Sequence, residues 1–146
     1  MSFTKTSIFL VSLLVLSFYF AQATNYNDSW GESYDEYVVN DLNDYQNILR
    51  IHIFSGDDDL GYHDLKPYQG YHWKFRMKFP GITKFFGRFL WAGRDKGFTV
   101  FDSKISNDHC GETGICYWVV KPDGFYIANK MKPSPGDLVK KHGWET

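Results

Sequence analysis

Helical periodicity, internal repeats and low-complexity tracts are all missing from this sequence, and cysteine is scarce. Without a helical period the chain has to be read as strands and turns, and without a fixed repeat it cannot be a solenoid or propeller. An excess of either charge is missing too. Lys and Arg number 16 against 17 Asp and Glu, for a formal net charge of −1, which gives no electrostatic reason to expect nucleic acid or an anionic membrane as partner. Only two cysteines occur, Cys110 and Cys116. Two thiolates with no histidine at finger spacing do not make a zinc site, whereas an even pair allows a single intramolecular bridge.

Long apolar runs are absent except for one at the start, residues 8–21, broken only by Ser12 and Ser17. At about 14 residues it is too short to span a bilayer. Ala21-Gln22-Ala23 follows it, the small-x-small pattern of a signal-peptidase site. Residues 1–23 therefore read as a removable export signal, and the mature protein as secreted, extracellular and without membrane insertion. Removing them takes one basic side chain, Lys5, and no acidic one. An oxidising destination favours a Cys110–Cys116 disulfide. Asn27-Asp28-Ser29, just past the cleavage site, is an N-glycosylation sequon and makes a glycoprotein the expectation.

What the chain has in plenty is aromatic residues, 19% of the total, which let a small domain bury much apolar area per residue. Residues 24–36 are polar and read as a flexible arm. The domain is expected over residues 37–130. Leu49, Ile51 and Ile53 alternate with Arg50, His52 and Phe54, a half-buried strand. From 71 to 79, Tyr71, Trp73, Phe75, Met77 and Phe79 alternate with His72, Lys74, Arg76 and Lys78, until Pro80-Gly81 ends the run. Phe85, Gly87, Phe89 and Trp91 share the next inward face. Arg94-Asp95-Lys96 reads as a turn before a strand at 97–101, and Asp123-Gly124 as a hairpin turn between strands at 115–121 and 125–128. The expectation is an all-β, antiparallel β-sandwich of seven or eight short strands, with residues 131–146 as a C-terminal tail.

Several ordered segments resemble those of the plant self-incompatibility S-protein homologues, small secreted proteins related to the stigma S proteins of poppy. They are Val39-Asn40-Asp41-Leu42, Leu49-Arg50-Ile51-His52, Asp57-Asp58-Asp59-Leu60-Gly61, Gly70-Tyr71 with Trp73 and Phe75, Thr83 with Phe85, Phe86, Phe89 and Trp91, and Cys110 with Cys116-Tyr117-Trp118 and Asp123-Gly124-Phe125-Tyr126. The resemblance covers about residues 39–126. It implies a non-enzymatic, ligand-like protein acting in cell-to-cell recognition, with a cell-surface receptor protein as partner and pollen rejection as one such process. Family members usually carry two further cysteines, at the positions held here by Ile53 and Gly87. Both are missing together, as the loss of one bridge would look, and alternation turns both inward, so their Cα atoms are expected to be neighbours across the core with Ile53 partly filling the space beside Gly87.

Chemistry finds little to work with. Asp57, Asp58 and Asp59 lack the spaced ligands and closing Glu of a calcium loop. His52, His63, His72, His109 and His142 are scattered, and no nucleophile motif accompanies them. His142-Gly143-Trp144 superficially resembles part of a ribonuclease motif but has no second histidine segment. The reading is therefore no catalytic residue, no cofactor and no metal, in a monomer. A secreted carbohydrate-binding or defence-related module is the competing function, set against the core positions most rings occupy. Partner contact is expected on three loops, residues 55–66, 92–96 and 107–114, with Asp57, Asp58, Asp59, Arg94, Asp95, Lys96, Asn107, Asp108 and His109 as candidates.

Overall fold

The computed structural model of the chain describes residues 31–77 and 82–145. Among them are nine strands: β1 (Ser33–Asn40), β2 (Leu49–Ser55), β3 (Asp59–Leu65), β4 (Gly70–Arg76), β5 (Phe85–Trp91), β6 (Arg94–Phe101), β7 (Ile115–Lys121), β8 (Gly124–Ala128) and β9 (Val139–His142). A short helical connection, Ser103–Ile105 and then a π-helical turn at Ser106–Cys110, joins β6 to β7. The strands form a five-stranded sheet A, ordered β4-β1-β7-β8-β9, and a four-stranded sheet B, ordered β3-β2-β5-β6. All neighbours run antiparallel except β1 and β7, which are parallel.

Alternation decides what each strand buries. Leu49, Ile51 and Ile53 of β2, Phe85 and Phe89 of β5 and Phe98 and Val100 of β6 face Tyr34 and Val38 of β1, Trp118 and Val120 of β7 and Phe125 and Ile127 of β8. Rings from the two sheets meet directly: Phe98 with Trp118 at 5.2 Å between centroids, Phe89 with Phe125 at 4.9 Å, Tyr34 with Phe101 at 4.9 Å. Each large side chain removed from water in this way contributes about 1.5–3 kcal/mol. Cys110 and Cys116 form a disulfide, with Cα atoms 5.2 Å apart, that ties the π-helical turn to the start of β7.

The arm and the tail read from sequence are both shorter than expected. Residues 33–36 belong to β1, with Tyr34 and Glu36 buried. A polar composition concealed them because their polar ends are met inside: the Tyr34 hydroxyl lies 2.6 Å from the Ser106 hydroxyl and donates to Glu32 at 2.7 Å. The segment from 131 contains a 3₁₀ turn at Pro135–Asp137 and then β9, which pairs with β8. Trp144 is buried beyond it and donates to the Lys121 carbonyl at 2.9 Å. The export signal, Asn27, residues 24–30 and the Pro80-Gly81 terminator lie outside the described residues.

Two of the expected loops are largely strand. β3 occupies most of 55–66, and Arg94-Asp95-Lys96 opens β6, the turn falling instead on Ala92 and Gly93, with φ of 48° and 80°. Two successive left-handed residues match the twist of a tight hairpin better than a charged triplet does. Ile53 and Gly87 are neighbours, but as direct partners on adjacent strands β2 and β5 of one sheet and not across the core. The space beside Gly87 is filled by Phe89 and Val100.

Candidate functional site

The solvent face of sheet B is built by the same alternation that buries Leu49, Ile51 and Ile53. Strand register lines its outward residues into three rows across the sheet. Asp64, Arg50, Leu90 and Asp95 form the first, Tyr62, His52, Arg88 and Gly97 the second, and Asp59, Phe54, Phe86 and Thr99 the third. Tyr62 stacks on His52 at 4.2 Å, His52 meets Phe54 at 4.9 Å and Phe54 meets Phe86 at 5.4 Å. The Phe86 ring has room because it lies over Gly97, where a Cβ would come within 3.1 Å of it.

Charge pairs frame these rings. Arg50 donates twice to Asp64, at 2.7 and 3.0 Å, and Arg88 makes a two-bond contact with Asp95. Those hydrogen bonds hold the Asp64 and Asp95 carboxyls below their ordinary pKa. Asp59 is lowered by the Gly61 backbone N–H and by His52, which it meets at 2.8 Å. Exposed pairs of this kind contribute roughly 0–1 kcal/mol of stability, so their effect here is to fix where two guanidinium groups sit beside an aromatic ladder. Where the third row ends, a cleft of about 570 Å³ opens, lined among others by Phe54, Phe86, Asp57, Asp58, Lys84 and Ile82, the last of these 70% exposed.

The residues expected to meet a partner do not converge. Asp57 and Asp58 sit in the β2–β3 turn at the Ser55 end of sheet B, where Asp58 N–H donates to the Ser55 hydroxyl at 3.0 Å. Arg94, Asp95 and Lys96 begin β6 at the opposite, Trp91 end. Arg94 lies over the Trp91 ring at 5.2 Å, and Lys96 donates to the Glu145 carbonyl at 2.9 Å. Asn107, Asp108 and His109 belong to the π-helical turn. Burial and then Lys141 push the His109 pKa down, and its Nε2 is buried without a hydrogen-bond partner among the described residues. Among the described residues no group of three or more His, Cys, Asp or Glu is placed to hold a metal ion. No helix among them is long and apolar enough to cross a membrane.

Loop-based reasoning missed the ladder because Tyr62 lies inside a segment read as a loop. The available signal was the alternation of Tyr62 and Asp64 with His63 and Leu65. It also missed Glu36, which is fully buried with one carboxylate oxygen accepting from Trp118 Nε1 at 3.1 Å and the other without a hydrogen-bond partner among the described residues. Burial pushes this carboxyl well above its ordinary pKa.

Residues 37–142 match the family model for plant self-incompatibility protein S1. S-protein homolog 3 of Arabidopsis thaliana is 31% identical over 122 residues, covering 83% of this chain and 81% of that protein. S-protein homolog 24 of the same plant is 34% identical over 124 residues, covering 82% and 79%. S-protein homolog 5 reaches 38% identity over 76 residues, 52% of this chain and 57% of its own length. No solved structure matches the chain. The match runs from the middle of β1 to the last residue of β9, so it touches all nine strands, and the chain belongs to the plant self-incompatibility protein S1 family.

Proposed function

We propose that the protein is a secreted, non-enzymatic, monomeric ligand that acts in extracellular cell-to-cell recognition by engaging a cell-surface receptor protein, with pollen rejection as one such process; the family's description names self-incompatibility. Family membership supports the class of role. The apolar run and Ala21-Gln22-Ala23 site support export. One structural observation carries the binding claim: the ladder Tyr62–His52–Phe54–Phe86 on the solvent face of sheet B, flanked by Arg50 and Arg88. Tyr62 is 59% exposed although its ring is already held against His52. Pre-ordered aromatic and arginine side chains on a rigid sheet are what interface centres are enriched in, and they lose little entropy on binding.

The test is saturable crosslinking of the protein to intact plant cells, comparing wild type with Tyr62→Ala and Phe54→Ala. A single crosslinked surface protein, competed by unlabelled protein and lost at least tenfold in both variants, supports the reading. Retention on wall polysaccharide alone, or crosslinking indifferent to both substitutions, overturns it.

A further inference from the structure

The opposite surface of the sandwich carries a second, smaller groove. Its floor is outward residues of β1 and β7: Val39, paired with Val119, and Tyr117. One wall is Tyr68, in the β3–β4 connection. The other is the segment after β8, with Lys132, Pro133, Pro135 and Leu138, and the groove measures about 240 Å³. Asp41 and Lys121 pair across one end at 3.8 Å.

Backbone strain concentrates here. Of four described non-glycine residues with positive φ, Tyr68 (68°) and Lys132 (48°) line the groove, and Asn43 (53°) holds the Tyr68 hydroxyl at 3.0 Å. Left-handed conformations are costly for side-chain-bearing residues and persist only where surroundings over-determine them. The surroundings do so: Tyr68 N–H donates to the Asn40 carbonyl at 2.7 Å, and the Asn40 side chain in turn holds the Leu65 carbonyl and the Leu42 N–H. The result is a tyrosine ring 59% exposed yet pinned at both its backbone and its hydroxyl.

We infer that this groove is a binding site for an acidic saccharide, taking one uronate-type pyranose unit. The Tyr68 and Tyr117 rings offer apolar faces to a sugar ring. The Asp41–Lys121 pair offers an acceptor and a donor for hydroxyls. Lys132 has no ion-pair partner among the described residues and supplies the charge that a sugar carboxylate would meet. The volume lies below the roughly 300–1,000 Å³ of clefts that take drug-sized ligands, which suits a single ring. A peptide is disfavoured because β1 and β7, which form the floor, are each hydrogen-bonded on both sides and have no free edge to offer. A bare phosphate would use the lysine and leave the rings idle.

The site is independent of the receptor reading, since it lies on the other sheet. Titrate the purified protein with trigalacturonic acid and, as neutral control, cellotriose, following binding by calorimetry and protein NMR. Trigalacturonate is expected to bind and cellotriose to bind at least tenfold more weakly, with shifts centred on Tyr68 and Tyr117. Tyr68→Gly removes the ring and relaxes the left-handed backbone, so affinity should fall at least tenfold while the thermal midpoint does not fall. Lys132→Gly should abolish the preference for the acidic sugar, and Tyr62→Ala, on sheet B, should change nothing. Absence of binding, equal binding of the two sugars, or Tyr68→Gly binding like wild type overturns the assignment. Loss of receptor crosslinking with intact sugar binding would sink only the proposed function.

Discussion

Ile53 and Gly87 stand directly opposite one another on β2 and β5, and a Cβ placed on Gly87 would lie 2.9 Å from both the Phe89 ring and the Val100 side chain. Directly paired residues of antiparallel strands have Cα atoms about 4.5–5.5 Å apart, within the roughly 4.4–6.8 Å span of a disulfide. The backbone therefore still offers the geometry of a bridge at these two positions, while the neighbours have closed over the place its second sulfur would need.

Ile53→Cys with Gly87→Cys is expected to oxidise to a second bridge, and the oxidised form should melt above the reduced one. Loop constraint of about 3–4 kcal/mol is offset in part by displacing Phe89 and Val100, an overpacking cost of about 1–3 kcal/mol. Gly87→Ala alone should show that cost without the gain. Differential scanning calorimetry of the three proteins checks both statements, and a double mutant that stays reduced under air would refute the first.

Reduction of Cys110–Cys116 closes a smaller account. The bridge spans a short loop, so its loss should lower stability by about 2.4 kcal/mol on the loop-entropy estimate, without unfolding the sandwich. Alkylation of the unreduced protein followed by mass measurement should find no free thiol, and denaturant titration with and without reductant gives the difference.

Glu36 and Asp137 pull the pH dependence in opposite directions. The Glu36 pKa is raised by burial, so the folded state holds its proton more tightly than the unfolded chain. Its contribution is fully present below the unfolded value of roughly 4.3 and is lost as pH rises through the folded value. Asp137 is lowered to about 2, chiefly by the Ser134 hydroxyl and Lys130, so its contribution is present above the unfolded value and lost as pH falls towards 2. Glu36→Gln should mimic the protonated acid and flatten the decline of stability as pH rises above the unfolded value of roughly 4.3, raising the midpoint at about neutral pH. An unchanged slope in thermal melts across that range would show that Glu36 is not the group responsible.

Trp144 closes the mouth of the core between Phe125 at 4.6 Å and Trp91 at 5.5 Å. Trp144→Ala should cost about 3–5 kcal/mol, the range for large buried rings, and should speed amide exchange in β9 and β8 before other strands. A loss below about 1 kcal/mol, the scale of an ordinary surface change, would mean that the C-terminal segment packs loosely after all.

The central strands were legible from the residues because both signals agreed there. Leu49, Ile51 and Ile53, or Phe85, Gly87 and Phe89, alternate with outward residues that include Arg50 and Arg88, and sit in strands paired on both sides. Of the four edge strands among the described residues, β4 and β6 were legible, but β3 and β9 were not. β3 and β9 each pair on one side only and carry Asp64 or Lys140 and Lys141, a composition indistinguishable from a solvated loop. Glu36 reads as a surface charge until its carboxyl is seen against Trp118, and nothing in a sequence announces that Tyr68 takes a left-handed backbone. For the same reason both candidate surfaces escaped notice: one depends on register across three strands, the other on segments brought together only by folding.

The parallel pairing of β1 with β7 bears on how the chain reaches this state. β1 lies inside sheet A between β4 and β7, and Tyr37 meets Tyr117 only after most of the chain exists. The hairpins β2–β3, β5–β6 and β7–β8 can close locally, but sheet A stays open until the C-terminal third arrives to complete it. High contact order of this kind places folding on the millisecond-to-second scale. A polypeptide emerging from its N-terminus first thus gains a single cooperative core only once β7 is free to pair.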